Sequence, residues 1–233
     1  MPKNNNSDNK NKIWDLVIIG GGASGMMTGA VASSLGKSVL ILEKNKSLGE
    51  KLKITGGGRC NITNAEYDIH KMLSHYGTSK EFLFSPFSKF GVKDTFSYFE
   101  KRGLPLVVQA RNRAFPHTEK AYDVYALLEK ELIKNRVAIA SKCTVKKIFK
   151  SGDSISHVET NQGVIYGKSF VLATGGMSHP ETGSTGDGFK FLADLGHKVR
   201  PATPTIVPLE VRDEWVKSLP GISLSFMKIT FFS

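Results

Sequence analysis

An α/β fold that opens with a Rossmann-like unit is predicted by three features. An apolar run, Ile13 to Ile19, breaks into Gly20-Gly21-Gly22-Ala23-Ser24-Gly25; apolar residues at three- and four-residue spacing follow; and a second apolar run, Ser38 to Leu42, completes the unit. Strand, turn, helix and strand in that order form a crossover. Its two strands are therefore parallel, and the glycine turn lies at their carboxyl ends.

The elements follow in order along the chain. Residues 1–12 (MPKNNNSDNKNK) are polar and Asn-rich, with no apolar h-region and no small-residue cleavage site, and are expected to form a disordered tail on a cytoplasmic protein. In the first helix Met26, Met27, Ala30, Val31 and Leu35 supply the apolar face, and Gly36 ends it. From about 68 to 135 the spacing of Val92, Phe96 and Phe99, then of Ala121, Val124, Tyr125, Leu128 and Leu132, predicts a helical excursion. Beyond Val137 β-branched residues dominate. Val158 and Thr160 alternate toward Asn161-Gln162-Gly163 and resume at Val164 and Tyr166, which predicts a hairpin. Phe170 to Ala173 then reads as a further buried strand ending in Thr174-Gly175-Gly176. A second glycine turn, Gly183 to Gly188, feeds a helix that Gly196 ends. Pro201, Pro204 and Pro208 break regular structure and suggest a crossing into another domain. Ser223 to Phe232 alternates like a strand with no partner after it, so the chain is read as truncated within a longer protein.

Composition narrows the function classes. At 233 residues, 40% hydrophobic and 23% charged, the chain is an ordinary globular one with room for one domain and part of a second. No apolar run approaches the ~20 residues that a membrane span needs. Cys60 and Cys143 are too few and too far apart for a disulfide framework. The formal charge of +11 suits an anionic partner. No block of five like charges and no alternation of aromatic and basic residues marks a nucleic-acid groove, however, so the lysines read as scattered solvated side chains.

The chemistry lies in the glycine turns. Gly20-x-Gly22-x-x-Gly25 has the spacing of a dinucleotide-binding turn. Gly20 permits the bend, Gly22 leaves the backbone bare for a pyrophosphate, and Gly25 lets helix and strand approach. The helix N-terminus adds free N–H groups and roughly half a positive charge. Glu43 ends the second strand 18 residues after Gly25, where a carboxylate accepts hydrogen bonds from the adenosine ribose. Gly36-Lys37-Ser38 imitates the end of a phosphate-binding P-loop, but Val31 stands where that loop needs its first glycine. HExxH and CxxC spacings are absent, so neither a zinc site nor disulfide-reductase chemistry is expected.

The segment Lys51 to Asn64 (KLKITGGGRCNITN) is the second signal. Its three glycines form either a flexible surface loop or a nest of N–H groups for an anion, with Lys51, Lys53 and Arg59 supplying charge of the right sign. Cys60 reads as a small buried apolar residue before a reactive thiol. His117 and His179 are candidates for an acid or base, and each also reads as a structural histidine.

Taken together, VIIGGGASG, ITGGGRCNITN, VLATGGMSHPETGSTGDGF and PTIVPL resemble the YhiN-type bacterial flavoproteins, NAD(P)/FAD-dependent or aminoacetone-oxidase-like oxidoreductases that include a bile-acid dehydro-reductase. The resemblance runs from Asp15 to Leu209, and GGGRCN is its most distinctive part. ATGG followed by STGDG is also similar to the matching region of fumarate-reductase-type flavoproteins.

The resemblance implies a Rossmann-like domain binding non-covalent FAD over 13–200, followed over 201–233 by the beginning of an inserted, mostly β domain. It assigns Gly20, Gly22, Ala23, Ser24 and Gly25 to the pyrophosphate, and Glu43 with Lys44 to the adenosine end. Lys51, Gly58, Arg59, Cys60 and Asn61 would face the ribityl chain and isoalloxazine, while Val145 would meet adenine through its backbone. Ala173, Thr174 and Gly175 would lie under the cofactor, with Asp187 starting the next helix. Family members run to about 400 residues, a two-domain length, and their C-terminal part, absent here, supplies another flavin-contacting turn. The expected activity is transfer of a hydride or electron pair between a reductant, with NAD(P)H a transient candidate, and a small organic substrate. The alternatives are an RNA-binding flavoprotein of nucleic-acid modification and a non-catalytic truncated remnant.

Overall fold

The computed structural model of the chain describes residues 12–203, 212–219 and 230, and the chain divides into two compact units at Arg200 and Pro201. The first unit opens with β1 (Ile13–Ile19), α1 (Ala23–Ser34), β2 (Val39–Leu42) and α2 (Glu50–Ile54). β3 (Thr63–Asn64), α3 (Ile69–Ser74), α4 (Lys80–Lys89), α5 (Val92–Glu100), β4 (Leu106–Gln109) and β5 (Arg113–Pro116) form an excursion. α6 (Ala121–Lys134), β6 (Ala138–Ala140), β7 (Val145–Ser151), β8 (Ser154–Thr160), β9 (Gly163–Leu172) and α7 (Asp187–Asp194) complete it. In the second unit the described structure is one short helix, α8 (Glu214–Lys217). The polar tail through residue 11 and the strand expected from Ser223 to Phe232 lie outside the described residues, apart from Thr230.

The main sheet has six strands in the order β6-β2-β1-β9-β8-β7. Its first four are parallel, with Ile18 paired to Ile41 on one side and to Val171 on the other. β9, β8 and β7 form an antiparallel arm. Side chains that alternate along a strand enter opposite cores, which is why β2 is apolar at every position. Ile18, Val39 and Ile41 join Met26 and Ala30 of α1 and Val124, Leu128 and Leu132 of α6 in one core. Val17, Ile19, Leu40 and Leu42 face the other, with Cys143, Val158 and partly buried Ile148, Ile165 and Phe170. Full burial of each such aliphatic side chain contributes about 1.5–3 kcal/mol.

Small residues bring α1 close. At Gly29 a Cβ would sit 3.0 Å from both Ile41 and Leu132, so the helix is wedged between the sheet and α6. Polar contacts set the register at the opposite end of the strands. The Asp15 carboxylate accepts from the backbone N–H and hydroxyl of Ser38 and from Lys168 Nζ, so it ties β1 to the chain on both sides. The Lys168 bond, followed by those from Ser38, holds the Asp15 carboxyl well below the usual range.

Two local readings change. The excursion is helical only in part, because β5 pairs with β3 on one side and β4 on the other in a separate three-stranded antiparallel sheet. These strands have four residues or fewer, and the link between β4 and β5 turns through left-handed Arg111 and Asn112 with no glycine to signal it. The hairpin arm beginning at Gly163 and the buried run ending at Leu172 are one strand, β9, whose first half pairs with β8 while most of its length pairs with β1.

Candidate cofactor-binding site

The chain leaves β1 toward β2 and β6 on one side and returns to β9 on the other, so β1 and β9 flank the point where the strand order reverses. In open α/β sheets a crevice forms there, outside the strand carboxyl ends. A cleft of about 370 Å³ occupies this position. Ile19 and Gly20 from β1, Leu42 and Glu43 from β2, and Ala173, Thr174 and Gly175 from β9 all line it.

Each glycine of the first turn has a different constraint. Gly20 has φ +105°, and a Cβ there would come within 2.5 Å of the Ala173 carbonyl oxygen. A Cβ on Gly25 would sit 2.0 Å from the Gly20 carbonyl oxygen, so this residue packs helix against strand without lining the cleft. Gly22 has nothing within 4 Å of its Cβ position and does line the cleft. It is also the N-cap of α1, with no side-chain cap and no acidic residue in the first turn. The first main-chain bond back into the helix is Met26 N–H to the Gly22 carbonyl. The amides before it have no partner within the helix, and Ala23 and Ser24, which carry two of them, line the cleft. A bare helix terminus beside a backbone position with room for a ligand fits the diphosphate of a dinucleotide such as FAD.

Glu43 braces this turn. Its buried carboxylate accepts from Gly21 N–H at 2.8 Å and from Asn45 N–H at 2.7 Å, so one side chain joins the glycine turn to the segment after β2. Lys44 reaches across to the loop after β9, where Nζ donates to Asp187 Oδ2 and Thr185 Oγ1, both at 2.7 Å. Burial pushes the Asp187 carboxyl up, but the bonds from Lys44 and Thr185 outweigh it and hold the group below its ordinary range. Asn45 Nδ2 donates to the Thr182 carbonyl at 2.9 Å, and Lys51 Nζ donates to the Ser178 carbonyl. Val145, at the start of β7, lines the same wall as Cys143 and Thr144.

Of the residues singled out in the sequence, the cleft gathers Gly20, Gly22, Ala23, Ser24, Glu43, Lys44, Lys51, Val145, Ala173, Thr174, Gly175 and Asp187. Gly58, Arg59, Cys60 and Asn61 lie outside its lining, which stops at Thr55. Gly56, Gly57 and Gly58 all have positive φ and form an exposed loop, and the Gly58 carbonyl accepts from Ala121 N–H at 2.7 Å. Arg59 pairs with Glu119 at 3.1 Å and lies over the Phe115 ring. Cys60 is in the core, and burial pushes its thiol up to about 11. The Asn61 amide, with its nitrogen turned toward the acceptors, donates to the carbonyls of Thr63 and Ala114 and so holds β3 to β5. His117 and His179 are both exposed and outside the cleft, and His179 lies 2.8 Å from Glu181.

Sequence reasoning passed over Asn45, Leu52, Thr182, Ser184 and Phe191, which also line the cleft. Asn45 stands two residues after the strand-ending acid, a position where a side chain follows that acid into the crevice. Leu52, Thr182 and Ser184 lie inside the segments quoted above without a role of their own, and Phe191 carries no local signal. Among the described residues no helix is long and apolar enough to cross a membrane, and no group of His, Cys, Asp or Glu is placed to hold a metal ion.

Residues 14–227 match the family model described as the HI0933-like protein Rossmann domain. The chain belongs to the HI0933-like Rossmann family. Within reach of it is the 3-dehydro-bile acid delta(4,6)-reductase of Clostridium scindens, 32% identical over 207 residues, 88% of this chain and 49% of that protein. The ribosomal RNA dihydrouridine synthases of Haemophilus influenzae and Escherichia coli are 29% and 28% identical, over 89% and 88% of this chain and 52% and 50% of theirs. The chain thus spans about half the length of these relatives. Among solved structures, the open conformation of a flavocytochrome c3 fumarate reductase superposes with a TM-score of 0.65 at 18% identity, covering 81% of this chain and 41% of that one. The 3-ketosteroid-delta4-(5alpha)-dehydrogenase of Rhodococcus jostii gives 0.56 at 16% identity, covering 73% and 47%. The fold of this HI0933-like chain is Rossmann-like, shared with these two structures.

Proposed function

We propose that the protein binds FAD in the cleft after β1, β2 and β9 and passes a hydride or electron pair from a reductant to a small organic substrate carrying a carbon–carbon double bond conjugated to a carbonyl. The observation that carries FAD binding is the open position at Gly22 beside the uncapped N-terminus of α1. Ala23 and Ser24 would hold the diphosphate through their amides, Glu43 and Lys44 would meet the adenosine end, and Ala173 to Gly175 would form the floor. FAD, when bound, supplies the hydride chemistry. The protein supplies position, charge and exclusion of water. NAD(P)H is a candidate reductant that visits the same cleft, and a cytoplasmic setting belongs to the same reading.

The substrate class is supported by the relatives' names. One relative is a delta(4,6)-reductase, and the others make dihydrouridine, which is uridine with its ring double bond saturated. Both describe addition of two hydrogens across an unsaturated bond beside a carbonyl. A second reading, in which the substrate is a base in RNA, is favoured by the two dihydrouridine synthases and the charge of +11.

The test is a purified protein scanned for flavin absorbance, reduced anaerobically with NADPH or NADH, then mixed with a conjugated enone or with RNA. Reoxidation by the enone with formation of the saturated ketone is expected. A colourless protein that takes up no FAD would refute the cofactor assignment. Reoxidation by RNA alone, with binding that weakens steeply as salt rises, would select the second reading.

A further inference from the structure

Six ionisable side chains line the cleft among the described residues: Glu43, Lys44, Glu50, Lys51, Cys143 and Asp187. Five are already engaged or neutral. Glu43 is held by two backbone N–H groups, Lys44 and Asp187 neutralise each other, and Glu50 pairs with Lys53 at 3.0 Å. The Cys143 thiol is buried, and that burial raises it above its ordinary value. Of the two lysines, Lys51 has no ion pair among the described residues.

Its surroundings confirm the imbalance. The Lys51 ammonium donates to a neutral group, the Ser178 carbonyl, with Ser178 Oγ 3.5 Å away. The charged groups nearest in sequence on its own helix are Glu50 and Lys53, which satisfy each other. On the facing loop the acid is Glu181, which is largely exposed and lies 2.8 Å from His179. Burial lowers the Lys51 ammonium from its ordinary value despite Glu181, as expected for a cation without a full counter-charge. A half-buried unpaired cation in a ligand cleft is suited to a charge that the ligand brings.

We propose that Lys51 meets the negative charge that reduction places on the pyrimidine end of the flavin, giving up Ser178 to do so. The inference rests on the FAD reading above. Two electrons and one proton taken from the reductant leave the bound ring with one net negative charge, and a cation held beside it favours the reduced form. The placement follows from the cleft's two ends. Glu43 and the Cys143–Val145 wall are tied together, since Cys143 N–H donates to the Glu43 carbonyl at 2.8 Å, and they form the adenosine end. Both ends reach the segment after β9, but Lys44 and Asn45 beside Glu43 meet it at Thr182, Thr185 and Asp187, whereas Lys51 meets it earlier, at Ser178, and the lining stops one helical turn after Lys51 at Thr55.

The experiment compares wild type, Lys51→Arg, Lys51→Met and Lys51→Gln. Each is titrated with oxidised FAD, and the reduction potential of the bound flavin is measured against a reference dye. In Lys51→Met and Lys51→Gln, reduced FAD should lose at least tenfold more affinity than oxidised FAD, a fall of about 30 mV for a two-electron couple. Lys51→Arg should recover most of that fall. The glutamine variant keeps a polar head for Ser178, so a fall shared by both neutral variants reports lost charge and not altered packing. Equal weakening of both oxidation states, or an unchanged potential, overturns the role of Lys51 and leaves FAD binding standing. Wild type that binds no FAD overturns both together, and the two failures are thereby told apart.

Discussion

Replacing Gly22 by valine separates the ligand from the fold. The N-cap backbone there is extended, at φ −75° and ψ −171°, a conformation that valine adopts without strain. Nothing in the protein lies within 4 Å of the new Cβ, so the folded state has room for it. The cost is that of a poor N-cap residue, about 1 kcal/mol. A diphosphate resting on the α1 terminus would lose its place, because the side chain projects where the oxygens must approach the amides. Loss of two charge-assisted hydrogen bonds at about 1.5–3 kcal/mol each totals about 3–6 kcal/mol, or roughly 10²- to 10⁴-fold in Kd. Urea unfolding of the apoprotein gives the first quantity, and quenching of FAD fluorescence gives the second. A folded Gly22→Val protein that binds FAD within about tenfold of wild type would refute the assignment of the turn to the diphosphate.

Gly25→Ala should do the reverse. Its methyl group would lie 2.0 Å from the Gly20 carbonyl oxygen, so the helix must move off the strand, with an expected loss of more than about 3 kcal/mol in urea unfolding even without ligand. Glu43→Ala should also destabilise the apoprotein, by about 1–3 kcal/mol, because it strands the buried N–H of Gly21. An apoprotein of wild-type stability that merely binds FAD less well would show that Glu43 acts on the ligand alone. Cys60 should resist iodoacetamide at pH 8 in the native protein and react once urea unfolds it, since its thiol is buried and burial pushes it up to about 11. Rapid native alkylation, followed by mass spectrometry, would restore it as a reactive group.

Much of the architecture was written in local pattern. β1, the glycine turn, α1 and β2 are contiguous, and each announces itself through a period of two or 3.6 and a glycine stop. The glycines at the end of β9 carry the same message, so the strand ends that make the cleft are legible in the sequence. Four-residue strands joined without glycine, such as β4 and β5, lack the length for a period to register. α6 has a clear helical face, but nothing in its own residues says that it returns to pack beside α1 on the same face of the main sheet.

Tertiary structure alone decided which charges are spent. Lys44 and Asp187 are 143 positions apart, and Lys51 and Ser178 are 127 apart, so only the folded chain could show that one lysine is paired and the other is not. It likewise showed that Glu43 grips its own glycine turn, that Arg59 is engaged by Glu119, and that Asn61 joins two strands. Residue type and spacing determine backbone conformation because those preferences act over a few bonds. Hydrogen bonds and ion pairs depend on distances of a few ångströms through space, and folding brings distant segments to those distances.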